Sequence, residues 1–320
     1  MRILVTGATG FIGRRTVSLL LARGYPVRAA LRNPAMAAGA IPPDCETVLI
    51  GDIGPDTDWS PALTAIDAVV HLAARVHIMR DTAADPPAAF RHVNTLGAIR
   101  LAEAAAAAGV GRMVFISSIK AGDGNLPPSP DDPYAMSKWE AEQALAEISA
   151  RTGIEAVILQ PPLVYGPGVG GNFLSLLRLV ARGIPLPLAS VDNRRSLLHV
   201  DNLADAIARS LEQPLSSEMR NGDAFALHDG APVSTPSLIR QLAAGMNRPA
   251  RLFPCPLRVL RTVAALTGRR PVIERLAGSL TVDDHPLRQW LSWTPPITTP
   301  DGLAATAHAF LNGYRQHAER

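Results

Sequence analysis

Tyr134 and Lys138 stand four residues apart in DDPYAMSKWE, residues 131 to 140, and side chains at this spacing share one face of a helix. An isolated phenol titrates at about pH 10, and a fixed ammonium close to it stabilises the phenolate. Such a phenol exchanges protons efficiently nearer to neutral pH. The pair therefore predicts a tyrosine acid/base, suited to a hydroxyl or carbonyl group, with a lysine that lowers its pKa.

The lysine itself stands out in the composition. Lys120 and Lys138 are the only lysines among 31 basic residues, and the other 29 are arginine. An ammonium is a compact charge, whereas a guanidinium is a planar fork, so the two are poorly interchangeable beside a reacting group. We therefore expect Lys138 to be required for its shape, while Lys120 has no clear mechanism and a surface role explains it equally well.

A serine follows the strand-like segment RMVFISS and is a candidate partner for the same chemistry. Ser118 lies where this segment ends, and open α/β sheets place their ligand contacts at the carboxyl ends of strands. Its hydroxyl would hydrogen-bond the reacting oxygen. The alternative is that Ser118 only caps a turn.

The first residues, RILVTGATGFIG, place three glycines between a strand and a helix. Gly7 permits a tight turn, Gly10 lets the backbone approach a pyrophosphate, and Gly13 lets the helix pack closely on the strand. The amides at the start of the helix face the anion. This spacing predicts a dinucleotide-binding loop.

The end of the second strand predicts which dinucleotide is bound. An acidic residue there bonds the ribose 2′-hydroxyl of NAD, whereas an arginine accommodates the 2′-phosphate of NADP. The sequence VRAALRNP has Leu31 at the acidic position, followed by Arg32, and so favours NADP over NAD. The alternative is that Arg32 is a solvated surface arginine. Asp52 in LIGDI follows the third strand, where it either accepts from the adenine amino group or serves as a turn residue.

Alternating short apolar runs and helical segments must position these residues. They predict an α/β fold with a doubly wound parallel Rossmann sheet covered on both faces. The expected strands are 2–6, 27–31, 47–50, 68–72, 112–117 and 156–160, and the expected helices are 11–23, 88–108 and 134–150.

The rhythm changes after Pro161, where prolines and glycines become frequent. We expect residues 1–162 to form the NAD(P)-binding domain and residues 163–320 to form mainly a smaller, irregular substrate-binding domain. Part of 194–230 regains regularity and is expected to return to the main sheet. Residues 257–270 form an amphipathic segment, which we interpret as a surface helix over the second domain's core rather than a membrane-surface helix.

Composition argues against several other classes of protein. A net charge of +3 and a pI near 9.2 reflect arginine usage rather than a clustered basic face, so no nucleic-acid partner is expected. The two cysteines lack any CxxC spacing and the eight histidines include no HExxH, so no metal site is expected. No signal peptide or membrane-spanning run is evident, and a cytoplasmic protein without membrane insertion is expected.

Six motifs, in order, resemble those of the extended short-chain dehydrogenase/reductase superfamily. Within it, the chain looks like the nucleotide-sugar epimerase/dehydratase family, especially the UDP-glucose 4-epimerase-like subgroup that includes UDP-hexosamine 4-keto reductases. The resemblance covers nearly the whole chain. The matching motifs are GATGFIG at 7–13, HLAA at 71–74, VNTLGA at 93–98, ISSIK at 116–120, YAMSK at 134–138 and LVYGPG at 163–168.

The resemblance implies roles for the catalytic candidates and for residues that chemistry alone would not nominate. It implies Tyr134 as the acid/base, Lys138 as its tuner and a ribose contact, and Ser118 as the hydroxyl partner. Asn172 would bind the diphosphate of the substrate, and Arg195 would contact the nucleotide phosphates. The implied cofactor contacts are Gly7, Gly10, Phe11, Ile12, Gly13, Arg32, Asp52, Ile53, Leu72, Ala73, Ala74, Asn94, Tyr134, Lys138 and Pro161. Asn94 would also order the active-site helix.

Three departures from the family pattern limit which site contacts and which activities can be carried over from the family. Leu163 replaces an asparagine that many relatives place before VYGP, and Gly122 replaces the usual tyrosine after the catalytic serine. Ile119 and Lys120 occupy the positions of the acid pair found in dehydratases, so a dehydratase is disfavoured.

The implied function is NAD(P)-dependent oxidoreduction at C4 of a UDP-hexose or UDP-hexosamine, as a 4-epimerase or a 4-keto reductase. Arg32 favours an exchangeable NADPH and thus reduction, whereas the subgroup's name favours epimerisation, and both remain open. The alternative from another class is a non-catalytic dinucleotide-sensing or scaffold protein on a dehydrogenase fold. A homodimer through the helices at 88–108 and 134–150 is expected from the family.

Overall fold

The computed structural model describes residues 1–76, 83–122, 126–215, 222–268 and 270–318, without the side chains of Met36, Pro271 and 314–318. The chain divides into two units. Unit 1 comprises Met1–Pro162, Leu203–Leu227 and Asp284–Thr294. Unit 2 comprises Leu163–Asn202, His228–Asp283 and Pro295–Arg320.

Unit 1 is built on a parallel sheet of seven strands within the described residues, in the order β3-β2-β1-β4-β5-β6-β9. The predicted doubly wound parallel sheet is confirmed, and β9 lies at its edge beside β6. The strands of this sheet are β1 Ile3–Thr6, β2 Val27–Leu31, β3 Glu46–Leu49, β4 Ala68–His71, β5 Arg112–Ile116, β6 Glu155–Gln160 and β9 Ala224–Ala226.

The helices follow the strands as parallel crossovers require. Among the described residues they are α1 Phe11–Ala22, α2 Ser60–Leu63, α3 Pro86–Phe90, α4 Gly97–Ala107, α5 Pro133–Thr152, α6 Gly171–Ala181, α7 Val200–Glu212, α8 Thr235–Gly245, α9 Leu257–Leu266, α10 Arg270–Ala277, α11 His285–Leu291 and α12 Thr299–Ala318. Short 3₁₀ helices lie at Pro34–Met36 and Ile119–Ala121.

One apolar core joins the sheet to α2, α4 and α5. Phe115 and Ile158 from the strands pack with Leu101 of α4 and Leu145 of α5, and all four are fully buried. Because these central strands are buried on both faces, they read as continuous apolar runs rather than as an alternating pattern. This packing fixes α5, which carries the candidate catalytic residues, against the sheet.

The helix expected over 88–108 is interrupted. It forms α3, then a π-helical turn at Arg91–Leu96, then α4. π-Turns of this kind occur often at functional sites. The turn holds Asn94, which is buried and bonded to two neighbouring segments, and a regular helix would present this side chain at a different angle.

Unit 2 contains a two-stranded parallel sheet, β7 Leu163–Tyr165 with β8 Leu197–His199, and packs α12 against α8. Its α9 buries Leu260 and Ala264 while Val259, Val263 and Leu266 are exposed. In the part of the chain that the structure describes, no helix is both long and apolar enough to cross a membrane.

Candidate functional site

Lys138 lies on α5, one turn after Tyr134, as the spacing predicts. The helix begins at Pro133, with the Asp132 side chain accepting from the backbone amide of Ala135 at 3.1 Å. Lys138 is only 2% exposed, and its Nζ donates to the carbonyl oxygen of Ile116 at 2.7 Å. Burial lowers the pKa of Lys138 to about 7.

Tyr134 is largely buried, and burial raises the pKa of its phenol to about 12. A hydrogen bond with the Ser118 side chain lowers this pKa, and the charge of Asp132 raises it. The net shift runs opposite to the one expected from Lys138, because loss of hydration at a buried phenolate outweighs the hydrogen bond with Ser118. The Lys138 ammonium is directed at the end of β5 instead.

Ser118 caps a turn, as the alternative role predicts, and its hydroxyl also lies beside Tyr134. It is the N-cap of the Ile119–Ala121 helix, where its Oγ accepts from the amide of Lys120 at 3.3 Å, and it hydrogen-bonds Tyr134. The cap fixes the hydroxyl beside the phenol. Ser118, Tyr134 and Lys138 are therefore brought together at the carboxyl end of β5.

Lys120 lies at the same place rather than on a remote surface. Its Nζ is 2.7 Å from Oδ2 of Asp132 and 6.0 Å from the centroid of the Tyr134 ring. Lys120 thus lies close to the Tyr134 ring, whereas the Lys138 ammonium bonds the backbone at the end of β5.

Asn94 ties the segment after β4 to α5. Its Oδ1 accepts from the amide of Arg75 at 2.7 Å, and its Nδ2 donates to the carbonyl of Arg75 and to Oγ of Ser137, both at 3.0 Å. All of these partners lie within unit 1, so the side chain acts as a brace for the helix that carries Tyr134.

The glycine loop leaves no room for side chains. Gly7 has φ +66°, and a Cβ there would lie 2.7 Å from the amide nitrogen of Ala73. At Gly13 a Cβ would lie 2.1 Å from the carbonyl oxygen of Gly7. Gly10 is the N-cap of α1 and a Cβ there would meet only that same oxygen, at 3.2 Å. Phe11 and Ile12 begin the helix whose amino end faces out of the loop.

The other predicted cofactor contacts follow strand ends along the same edge of the sheet. Arg32 follows β2 and Asp52 lies beyond β3; the two form an exposed ion pair, with Nε of Arg32 and Oδ1 of Asp52 3.8 Å apart. Ile53 is next to Asp52, Leu72 to Ala74 follow β4, and Pro161 follows β6. The amide of Ala73 donates to Thr6 Oγ1 at 3.2 Å, and the carbonyl of Pro161 accepts from Ile119 at 3.2 Å.

His71 ends β4 as a buried imidazole whose hydrogen bonding is only partly satisfied. Its Nδ1 lies 2.7 Å from Oγ1 of Thr6 and its ring stacks on Phe115, but its buried Nε2 has no hydrogen-bond partner among the described residues. Burial, together with the positive charge of Lys138, lowers its pKa to about 3. The ring is therefore neutral beside the site.

Glu142 was missed by sequence reasoning. It is 3% exposed on α5, one turn after Lys138, and both its carboxylate oxygens accept from Nε2 of Gln160, at 2.9 and 3.1 Å. Its charge favours the protonated form of Lys138. The signal was present, because Tyr134, Lys138 and Glu142 repeat at four-residue intervals on one helix face.

Asn172 and Arg195 belong to unit 2. Asn172 is exposed in the first turn of α6. Arg195 is held by its own unit, since its Nη1 donates to the carbonyls of Arg275 and Gly278, at 2.6 and 3.0 Å. Within the described residues, no three His, Cys, Asp or Glu side chains are grouped so as to hold a metal ion.

Comparison with known proteins gives consistent matches. Residues 3–223 match the model of the NAD dependent epimerase/dehydratase family. A UDP-glucose 4-epimerase from Vibrio cholerae is 39% identical over 322 residues, which cover 97% of this chain and 95% of that protein. A 3-diazoavenalumate denitrifying reductase from a Streptomyces species is 31% identical, with 88% of this chain and 95% of that protein covered.

Among solved structures, a UDP-glucuronic acid 4-epimerase from Bacillus cereus in complex with NAD superimposes with a TM-score of 0.76. The match covers 98% of this chain and 100% of that one, at 22% identity. At this identity the likeness establishes the fold of the chain over its whole length.

Proposed function

The chain belongs to the NAD dependent epimerase/dehydratase family, and from that membership we propose that it is an enzyme performing oxidoreduction at C4 of a UDP-hexose or UDP-hexosamine. The observation that carries this proposal is the meeting of Ser118, Tyr134 and Lys138 at the carboxyl end of β5. The same edge of the sheet carries the glycine loop.

The residues around the loop fit a dinucleotide. Gly7 and Gly13 pack directly against other backbone atoms, so the loop presents its main chain rather than side chains. A pyrophosphate would contact this main chain at the amino end of the 12-residue α1. When bound, the nicotinamide supplies a hydride acceptor for oxidation and a hydride donor for reduction.

Tyr134 carries the proton in either direction. As the sugar is oxidised, its phenolate takes the proton of the C4 hydroxyl, and as a 4-ketone is reduced, its phenol returns a proton to the C4 oxygen. Ser118, held in place as the N-cap of the Ile119–Ala121 helix, donates a hydrogen bond to the C4 oxygen. Lys138 holds a positive charge near the phenolate and bonds the ribose, which a compact ammonium can do from its buried place on α5.

For the cofactor we propose NADP over NAD. The support is that Leu31 ends β2 at the position where NAD-binding chains place an acid, and that Arg32 follows it. The solved Bacillus cereus epimerase holds NAD, so the alternative assignment has direct precedent in the fold. For the substrate, we propose that Asn172 binds the diphosphate and Arg195 the nucleotide phosphates. We also propose a homodimer, to be checked by the mass of the protein in solution.

Epimerisation and reduction differ in what happens to the cofactor. A 4-epimerase retains the cofactor while the 4-keto sugar rotates in the site and receives the hydride on its other face. A reductase releases the cofactor and binds a new one at every catalytic turnover. The relatives include a UDP-glucose 4-epimerase, which supports epimerisation, and a 3-diazoavenalumate denitrifying reductase, whose name points to a different reduction. Mass spectrometry of the co-purifying cofactor, with assays of UDP-glucose and UDP-galactose interconversion without added cofactor, separates the two. Tightly bound NAD(H) with interconversion would exclude the reductase.

Replacing Tyr134 with phenylalanine removes the acid/base but keeps the ring. We expect turnover of the nucleotide sugar to fall about 10²- to 10⁴-fold, since this is the usual contribution of a positioned acid/base. Cofactor binding, measured by fluorescence or calorimetry, should be retained. Unchanged turnover would remove Tyr134 from the mechanism, and binding without turnover in the parent protein would instead favour the dinucleotide-sensing or scaffold alternative.

A further inference from the structure

The two lysines of this arginine-rich chain lie on different elements around the candidate site. Lys138 comes from α5 itself, whereas Lys120 comes from the 3₁₀ helix after β5 and pairs with Asp132 at 2.7 Å. The side chain of Lys120 is 40% exposed, so it approaches the phenol from the solvent side. The motif resemblance implies a role for Lys138 but none for Lys120.

Asp132 is placed where its charge matters. One carboxylate oxygen caps α5 by accepting from Ala135, and the other bonds Lys120. The carboxylate is two residues before Tyr134, and its negative charge raises the pKa of the phenol. The helix therefore needs an N-cap at a position where an anion opposes formation of the phenolate.

We propose that Lys120 is a positioning residue whose ion pair with Asp132 neutralises the helix cap, so that Tyr134 can exchange its proton while the cap is kept. This inference rests on the proposed role of Tyr134 as the acid/base. It gives Lys120 a function through Asp132 rather than through a contact with substrate.

Other charged groups near Tyr134 have other partners. The Lys138 ammonium donates to the carbonyl of Ile116, and His71 remains neutral. The Arg75 guanidinium lies over the Phe90 ring, which itself meets Tyr134 edge-on with centroids 6.2 Å apart. Among the described residues, the exposed Asp131 directly precedes the Asp132 cap, Glu142 is bonded to Gln160, and Arg91 pairs with Glu140. Lys120 is thus the cation paired with the cap.

The charges of Lys120 and Asp132 determine the direction in which each substitution shifts the pKa of Tyr134. Lys120→Met leaves Asp132 negative and uncompensated, so the pKa of Tyr134 rises. Asp132→Asn keeps a good capping residue and removes the anion, so the pKa of Tyr134 falls. Lys120→Arg keeps the charge and should leave the pKa near its original value. The double variant Lys120→Met with Asp132→Asn has neither charge and should also lie near it.

The test titrates the phenol directly. 3,5-Difluorotyrosine, whose phenol is more acidic than that of tyrosine, is incorporated at position 134, and its ¹⁹F shift is followed against pH in the purified protein. We expect shifts of about one pH unit in opposite directions for Lys120→Met and Asp132→Asn, since a charge within a few ångströms has effects of this size. The pH profile of turnover, measured with Tyr134 itself, should move in the same directions.

Shifts in the same direction, or none in either single variant, would overturn the proposal, because a purely structural ion pair predicts no opposed signs. Circular dichroism checks the fold, and Asp132→Asn alone decides the question if Lys120→Met does not fold. The titration needs no substrate. Opposed shifts in a protein that acts on no nucleotide sugar would therefore refute the proposed function while the charge coupling stands.

Discussion

At the scale of single residues, burial decides the chemistry more than spacing does. Tyr134 and Lys138 share a helix face, yet the Lys138 ammonium bonds the carbonyl of Ile116 and lies 4.5 Å from the centroid of the Phe115 ring. Desolvation raises the pKa of Tyr134 and lowers the pKa of Lys138, and both shifts favour the neutral form of the side chain. A bound positive cofactor and the hydrogen bond from Ser118 would each favour the phenolate.

Lys138→Arg tests the requirement for a compact charge. The guanidinium is larger and planar, and the fully buried site beside Phe115 cannot hold it in the same place, so we expect turnover to fall at least about 100-fold. Overpacking should cost about 1–3 kcal/mol of unfolding free energy, leaving the fold intact. Turnover and urea unfolding are measured together, with Lys138→Met as the control that keeps volume and removes charge. Full activity in Lys138→Arg would contradict the assignment.

At the scale of elements, the loop between β1 and α1 shows that its glycines are required for different reasons. Gly13 lies against the carbonyl of Gly7 and the backbone of Ala8, so it sets the distance between helix and loop. Gly10 is exposed on the side that faces out of the loop. One glycine therefore serves packing, and the other keeps the surface open for a phosphate.

Gly13→Ala and Gly10→Ala form a matched pair that separates these reasons. We expect Gly13→Ala to lose about 1–3 kcal/mol of unfolding free energy, since the new methyl meets backbone atoms that cannot rotate away. Gly10→Ala should change stability by less than about 1 kcal/mol and should weaken dinucleotide binding, measured by calorimetry. Equal stability losses in both variants would contradict this division.

At the scale of the whole molecule, unit 1 is assembled from three separate stretches of chain. Asp205 on α7 is 8% exposed and joins them: it pairs with Arg23 at the end of α1 and accepts from Nε1 of Trp293, after α11, at 2.9 Å. Arg209 pairs with the same carboxylate at 3.0 Å from a more exposed position. A single buried carboxylate thus holds distant segments of the sequence together.

Asp205→Ala should be strongly destabilising for this reason. It leaves the buried Trp293 donor without its partner and the Arg23 guanidinium with only the more exposed Glu212, and we expect a loss of about 2–4 kcal/mol in unfolding free energy by urea denaturation. Arg209→Ala is the control, with an expected loss below about 1 kcal/mol because its ion pair is solvated. Similar losses in the two variants would show that Asp205 does not join these segments.

Much of unit 1 and of the candidate site could be predicted because the signals are local. Strand and helix periodicity predicted the parallel sheet, and the glycine spacing predicted the loop whose tight packing is seen at Gly7 and Gly13. The helix-face spacing predicted that Tyr134 and Lys138 share one side of α5. The π-turn at Arg91–Leu96 was not predicted, because it depends on what Asn94 bonds across the fold rather than on its neighbours in sequence.

The sequence by itself determined the fold class, the family and the residue types available for chemistry, because these depend on periodicity and on motifs within a few residues. Only the tertiary structure decided how those residues are charged and paired. It placed Lys120 against the cap of the helix that carries Tyr134, directed Lys138 at the end of β5, and buried Glu142 behind it. Desolvation and ion pairing depend on segments far apart in the chain, and only folding brings those segments within a few ångströms.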